Sequence, residues 1–494
     1  MKSRPKIDNW GWQRAKHLLN RSGFGGKSSE IESFSEAGYE SSLDQLFAFS
    51  FRPLQEPEWL SEYDRFAVLR FRKMSQDERR QFMQMNRKRV REFQMGWIKR
   101  MIASPTPAEM LWDKMTFFWH AHFATSFQKV KLPPLLFGQL SLFNKHAVGS
   151  FRDLLHGISR DPAMLRYLDN NQNHKGKPNE NFARELMELF SLGRGFYSED
   201  DIKEAARAFT GWTNDPFHFR FARKRHDYGS KTFLGRQGRF DGEDIVNIIL
   251  EQPACAEFIT RKLLAFFSFE TASEELVQSL ANEFRDSGYE LRPLLRSIFS
   301  APEFYADETI GIQIKSPVQL VVGTTRVLET SIENFEFYLF MLDIMGQAPY
   351  WPPNVKGWPG GRAWIDTSRL LTRYTFAEIV SRGEIPDEID PRMRKGGQRR
   401  GDTKLGKGDK AFRRMMRRKK LGIEFDPFQL LGGGSDVKEA VLRFEQILLS
   451  QKPTARERTR LVSNFESSLK KMPEREALKA LVGDMMTLPL YQLC

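Results

Sequence analysis

Carboxylates clustered along one stretch of helical spacing are the first residues in this chain whose types could do chemistry. The string Asn179-Glu180-Asn181-Phe182-Ala183-Arg184-Glu185-Leu186-Met187-Glu188-Leu189-Phe190 places Glu180, Arg184 and Glu188 in one charged row, with Asn181 and Glu185 beside it. Phe182, Leu186, Leu189 and Phe190 face the other way. Such a row serves either as a solvated face, with i,i+4 ion pairs of about 0.3–0.5 kcal/mol each, or as a cleft whose carboxylates act as acid, base or metal ligands. A second cluster, His226-Asp227-Tyr228-Gly229-Ser230-Lys231, brings an imidazole, a carboxylate and an amine within six residues. Asp-x-Gly suits a turn equally well. The candidate catalytic set is therefore His226, Asp227, Lys231, Glu180, Arg184 and Glu185.

Two further strings carry ligand chemistry. In Trp119-His120-Ala121-His122-Phe123 the two imidazoles lie about 200° apart on a helix, so they do not share one ion. His122 alone is a candidate metal ligand, and a buried, hydrogen-bonded role is the competing reading for both. The stretch Tyr350-Trp351-Pro352-Pro353-Asn354-Val355-Lys356-Gly357-Trp358-Pro359-Gly360-Gly361-Arg362-Ala363-Trp364 combines rigid prolines, permissive glycines and three indoles. Trp351, Trp358, Arg362 and Trp364 are candidate ligand-binding residues in such an ordered loop, and the same composition fits an aromatic cover over the core. The chain contains no Gly-x-x-x-x-Gly-Lys-Ser/Thr loop, Gly-x-Ser-x-Gly elbow, Cys-x-x-Cys pair or EF-hand loop, which weighs against the common kinase, hydrolase and zinc-finger classes. No motif identifies a cofactor.

The elements that must position these groups are mainly α-helices. Helical spacing runs from Glu62 to Ile102 and recurs at Ala108 to His122, Pro178 to Leu192, Asp200 to Phe209, Gly242 to Leu250, Ala254 to Phe269, Glu274 to Ser287 and Pro317 to Leu328. Ser198 with Asp201 forms a capping box. Alternation in Phe217-His218-Phe219-Arg220-Phe221 predicts a short strand, pairing with Lys231 to Leu234 as a small β-hairpin insertion. A pattern of two apolar residues, a third, then proline recurs at Leu154 to Pro162, Leu294 to Pro302 and Leu481 to Pro489, followed by Met164, Phe304 and Tyr491. It predicts a helix end, a proline stop and an apolar plug.

Charge divides the 494 residues unequally. The total is +13, and Pro391 to Lys420 holds fourteen basic residues against two acids, or +12. The expected organisation is a main helical domain over 1–380, a basic Gly/Arg/Lys-rich insertion or linker over 381–435, and C-terminal helices over 436–494 that dock on the main domain. Within the insertion, Arg413, Arg414, Arg417, Arg418, Lys419 and Lys420 form a basic patch that would suit a polyanion or anionic lipid. Two cysteines exclude a disulfide framework. Met1 to Trp12 lacks the apolar run of an export signal and no stretch reaches the roughly 18 apolar residues of a spanning helix. As written the chain reads as cytoplasmic.

Taken together, His17-Leu18-Leu19-Asn20-Arg21-Ser22-Gly23-Phe24-Gly25, Trp119 to Phe123, Asn179 to Gly193, Phe209-Thr210-Gly211-Trp212, His226-Asp227 with Lys231 to Gly235, and Pro352 to Trp364 followed by Arg369-Leu370-Leu371 resemble the bacterial family called domain of unknown function 1800. The resemblance implies a large, mainly helical fold and no established activity. It also implies a partner, because such proteins are often encoded beside members of domain of unknown function 1501, which is similar to alkaline phosphatases and sulfatases. The expected function is a helical accessory or scaffold protein acting with that partner. The alternatives are a hydrolase, with or without metal assistance, with a His/Asp/Glu site, and polyanion or membrane-surface binding through the basic segment.

Overall fold

Buried cations tie this mainly helical fold together, and they do so by capping helices other than their own. The computed structural model describes residues 7, 9–268, 272–385, 421–433 and 436–494. The predicted basic patch, Arg413 to Lys420, lies outside the described residues. A helix leaves its last carbonyls without intrahelical partners and its C-terminal end partly negative, so a buried ammonium or guanidinium is well placed there. From the first helix, Trp12–Ser22, Lys16 Nζ donates to the carbonyls of Gln446 and Leu449 (both 2.7 Å), at the end of the Val437–Leu448 helix. Arg21 donates to Phe267 and Ser268 (2.8 and 2.7 Å) at the end of Pro253–Phe267. The end of the Trp12–Ser22 helix is in turn capped by Lys114, whose ammonium reaches the carbonyls of Arg21 and Gly23 at 2.7 and 2.6 Å. Burial pushes the Lys114 amine down to about 7. His17, buried and held down to about 3 mainly by desolvation, donates from Nε2 to Phe304 O at 2.9 Å.

Around these links lies one continuous apolar interior, from Ala15 to Tyr491. The C-terminal helices Val437–Leu448, Ala455–Leu469 and Glu474–Met486 pack into it, with Glu474–Met486 against Thr367–Arg382. Arg373 of the latter, 1% exposed, donates to Gln492 Oε1 and to Lys315 O.

Two local expectations are corrected. The Glu62 to Ile102 run is not one helix but a short helix, Arg65–Arg70, a 3-10 turn, Phe71–Lys73, and then Gln76–Ile102. Ser75 restarts the helix: its Oγ accepts the Glu78 amide and the Glu78 carboxylate accepts the Ser75 amide, a capping box within what reads as continuous periodicity. The Phe-rich strand also has a different partner. Phe219–Phe221 pairs antiparallel with Trp212–Asn214, and Lys231–Phe233 pairs with Arg236–Gly238. Asp215 decides the first hairpin, because its carboxylate accepts the amides of Phe217 and His218 and closes the chain on itself. Leu234 and Gly235, with φ of 45° and 77°, decide the second, since a two-residue turn with both φ positive matches the twist of a hairpin. A third pair, Ser331–Ile332 with Ile423–Glu424, completes the sheets among the described residues.

The recurring proline pattern forms as expected. Pro162, Pro302 and Pro489 each open the next helical turn, and Met164, Phe304 and Tyr491 are buried behind them. Asp161 caps the first of these turns, accepting the Met164 amide at 2.8 Å and the Gln139 side chain at 2.7 Å. Full burial outweighs those bonds and pushes its carboxyl up to about 7. An unfolded aspartate titrates near 4 (roughly 3.9), so between these values the folded chain holds a proton that the unfolded chain has released. Stability contributed at this position therefore falls as pH rises through that window and is flat above it. Asp161→Asn keeps a capping oxygen without the charge. Urea unfolding should show the variant gaining about 2–3 kcal/mol on wild type between about pH 5 and 7, and a pH-independent difference would contradict a protonated Asp161.

Candidate functional site

Asn173 organises the region that the sequence pointed to. It follows a 3-10 turn, Asn170–Gln172, that starts from Asp169 at φ 60°. Its side chain donates to Ala206 O (2.8 Å) and accepts the Asn179 amide (3.0 Å), while its own carbonyl accepts the Gly211 amide (3.0 Å). The Lys175 amide donates to Arg225 O at 2.8 Å. These bonds fix the 170–180 loop against the end of the Glu199–Ala208 helix and against the 3-10 turn Arg223–Arg225. Between them lies an open groove of about 930 Å³. His174, Lys175, Lys177, Lys224 and Arg225 line it, with Glu180 its one acid, and the five basic residues are exposed. Glu180 is itself paired with Arg184 at 3.2 Å, so the groove is strongly basic. Asn171, also on its wall, has a buried side-chain oxygen with no hydrogen-bond partner.

The charged helix is shorter and differently wound than its spacing predicts. Asn181–Glu185 is α-helical, but Leu186–Ser191 is a π-turn, held by Ser191 Oγ donating to Leu186 O and by the Leu192 amide reaching Met187 O. Bonding to the fifth residue back widens the turn, so the row breaks after Arg184. Arg184 pairs with Glu180 and, through two bonds of 2.9 and 2.8 Å, with Glu199, whereas Glu188 pairs with Arg194 at 2.7 Å. Glu185 remains half-buried between these pairs. Burial first, then the Glu188 charge, raises its carboxyl, opposed by Lys356 of the Trp-rich loop and by Arg184 and Arg194.

The second cluster is engaged in holding its own loop. His226 is 2% exposed, with Nδ1 2.8 Å from Thr210 O. Asp227 takes two bonds from Arg207 (2.8 and 3.3 Å) and accepts the Gly229 amide, and the Arg207 bonds are the main reason its carboxyl lies below the usual range. Lys231 donates to the carbonyls of Asp227 and Gly229 (2.6 and 3.1 Å), and burial lowers its amine. Arg207, and Glu204, which accepts two bonds from Arg207 (2.9 and 2.8 Å), had no signal of their own in the sequence, whereas Thr210 stands in one of the strings that carry the family resemblance. The groove cations had one: Arg223-Lys224-Arg225 stands directly before His226, and Lys175-Gly176-Lys177 directly before Pro178.

The remaining candidates, apart from the exposed Arg362, close the core. His122 Nε2 lies 3.1 Å from Phe190 O, on the π-turn, and burial holds the ring down to about 3. Among the described residues, no group of three or more His, Cys, Asp or Glu could hold a metal ion. His120 accepts the Tyr350 amide at Nε2 (3.1 Å), and Trp358 lies over it with ring centroids 5.6 Å apart. Trp351 packs on Phe127, Trp364 is 4% exposed, and Arg362 is exposed. The loop thus seats on the end of the Pro107–His122 helix.

A family model described as protein of unknown function (DUF1800) matches residues 17–493. The chain belongs to the DUF1800 family. No curated protein and no solved structure matches it. The matched residues include those of the C-terminal helices. No described helix is long and apolar enough to cross a membrane. Several of the strings that carry the family resemblance have structural work here: His17 and Arg21 bridge helices, and Gly357 lets the Trp-rich loop touch the Ala121 carbonyl.

Proposed function

We propose that this protein is an accessory binding protein that captures an anionic group of a partner in the groove between His174–Glu180 and Arg223–Arg225. The observation that carries this reading is the convergence of four exposed cations, Lys175, Lys177, Lys224 and Arg225, and the exposed His174 imidazole on one open groove, whose single carboxylate is already paired. Phosphate, sulfate or a run of carboxylates on a partner would meet charge-assisted donors there. The partner is a member of domain of unknown function 1501, the neighbour that the family resemblance implies. Co-expression and co-purification test this, with Lys224→Glu and Arg225→Glu combined as the variant. Both side chains are exposed and the bonds that Arg225 makes to the fold come from its backbone, so melting should be unchanged while association weakens about a hundredfold, on the order of 1–2 kcal/mol for each charge reversed. Association that is absent in wild type, or untouched by the variant, would refute the proposal.

One observation favours a second, hydrolytic reading: Glu185 is half-buried at the end of the Asn181–Glu185 helix, directly before the π-turn that carries Glu188, with its carboxyl raised. A carboxyl raised in this way suits general acid–base work. His226, Asp227 and Lys231 do not support that reading, because their polar atoms serve the fold. Glu185→Gln should abolish any ester hydrolysis that the purified protein displays, and full activity in that variant would end this reading.

A further inference from the structure

The near-neutrality of the chain outside Pro391–Lys420 conceals a second basic region. Between Arg65 and Arg91 there are ten basic residues and two acids, or +8. Since 391–420 carries +12 of the total +13, the remaining residues carry −7. Half of it, +4 over 65–85, lies on an arm formed by the Arg65–Arg70 helix, the Phe71–Lys73 turn and the exposed start of Gln76–Ile102; the rest follows from Arg87 to Arg91, where Arg89 packs on Tyr63 and Arg91 pairs with Glu336. From Gln76 to Met85 every residue is exposed except the half-buried Phe82 and Met83, and the deeply buried stripe begins only at Asn86. The arm is nonetheless ordered. Phe71 packs on Phe82 with centroids 5.6 Å apart, Arg79 Nε donates to Phe71 O at 3.1 Å, and Tyr63 donates to Asn86 at 3.1 Å.

What the arm shows to the outside is apolar as well as basic. Phe66 is 72% exposed, Leu69 64% and Met85 49%. Phe66, Leu69 and Arg70 share one face of their helix at i, i+3 and i+4, and Ala67, 6% exposed, faces inward. Lys73, Arg80 and Arg87 are exposed on the same stretch of chain, while Arg70 and Lys88 pair with Asp64 and Glu92. A large side chain held in water at this exposure gains free energy only by entering an apolar medium, and cations beside it gain from a dense negative surface. We propose that this arm docks on an anionic phospholipid bilayer, with Phe66 and Leu69 entering the headgroup boundary and the basic side chains resting on lipid phosphates. Nucleic acid would satisfy the charge but offers nothing to Leu69. The surface is separate from the groove and does not depend on the function proposed for it.

Sedimentation of the full chain with vesicles of phosphatidylglycerol and phosphatidylcholine, and with phosphatidylcholine alone, tests this. Binding is expected to the anionic vesicles only and to weaken with salt. Phe66→Ser with Leu69→Ser should bind about tenfold less tightly, and Arg80→Glu with Arg87→Glu should lose binding. As a gain-of-signal measurement, Leu69→Cys carrying an environment-sensitive dye should shift to the blue with anionic vesicles, Cys255 and Cys494 being buried and slow to label. Unchanged dye emission, equal binding to phosphatidylcholine alone, or loss of all vesicle binding on deleting 391–420 would overturn the proposal. So would binding that the charge reversals abolish but the apolar substitutions leave intact, which would identify a general polyanion surface.

Discussion

Arg326→Met is expected to lower the unfolding free energy by about 3–5 kcal/mol, the range for removing one partner of a buried ion pair. Arg326 is 1% exposed and joins three separate parts of the chain. Its guanidinium donates to the carbonyls of Ile102 and Ser104 (both 2.8 Å), to Gly25 O (3.2 Å), and to both carboxylate oxygens of Glu30 (2.9 and 3.2 Å). Methionine fills much of the same space but leaves three backbone acceptors and a mostly buried carboxylate without their donor. Among the described residues, the Glu30 side chain, 13% exposed, would keep only its bond from the Lys27 amide. Urea denaturation of single and double variants checks this: adding Glu30→Gln to Arg326→Met should recover about 1 kcal/mol or more, because the uncompensated charge is then gone. Arg326→Lys should lie between, since an ammonium is a compact point charge without the planar fork that serves several acceptors at once. A variant as stable as wild type would mean that the other packing in this region carries the junction without the guanidinium.

The second large effect is expected at Gly357. Its φ of 76° costs a non-glycine residue about 1–3 kcal/mol. A Cβ there would also lie 2.4 Å from the Ala121 carbonyl oxygen, and a backbone atom in a buried helix has little room to retreat. Overpacking of this kind adds about 1–3 kcal/mol. Gly360, three residues on, has a similar φ of 72° but nothing within 4 Å of its would-be Cβ. Gly360→Ala should therefore show the backbone cost alone, and the difference between the two alanine variants isolates the contact with the helix end. Hydrogen exchange at Tyr350, whose amide is bonded to His120, should accelerate in Gly357→Ala and stay slow in Gly360→Ala. Equal destabilisation and equal exchange in both would show that the loop does not depend on this contact for its seat.

Features built from neighbouring residues were legible in the sequence. Ser198 and Asp201 do form a capping box, the proline stops do open new turns, and apolar spacing located most helices, because each depends on groups within about one or two turns of each other. The same locality explains the errors. Ser75 and Glu78 cut a helix that periodicity alone joins, and the hairpin partners were set by Asp215 and by the Leu234–Gly235 turn rather than by the Phe alternation. Among the candidate site residues, the Glu180–Arg184 pair was visible from its spacing. The π-turn that redirects Glu188 to Arg194 was not, since it is a choice of backbone winding that the side chains do not announce.

By itself the sequence determined the helical class, the family and most local caps, for those follow from periodicity and from short strings. Only the tertiary structure decided what the polar residues do. The carbonyls that receive Lys16, Arg21, Lys114 and Arg326 lie tens to hundreds of positions away along the chain, so no spacing rule relates donor to acceptor. The His226 loop became a structural knot for the same reason, as Arg207 and Thr210 arrived from another element. Charge behaved likewise. A sum over the chain reports +13, whereas attraction depends on which charges share a surface within about a Debye length, and folding placed them in a groove at Lys224 and on an arm at Arg80.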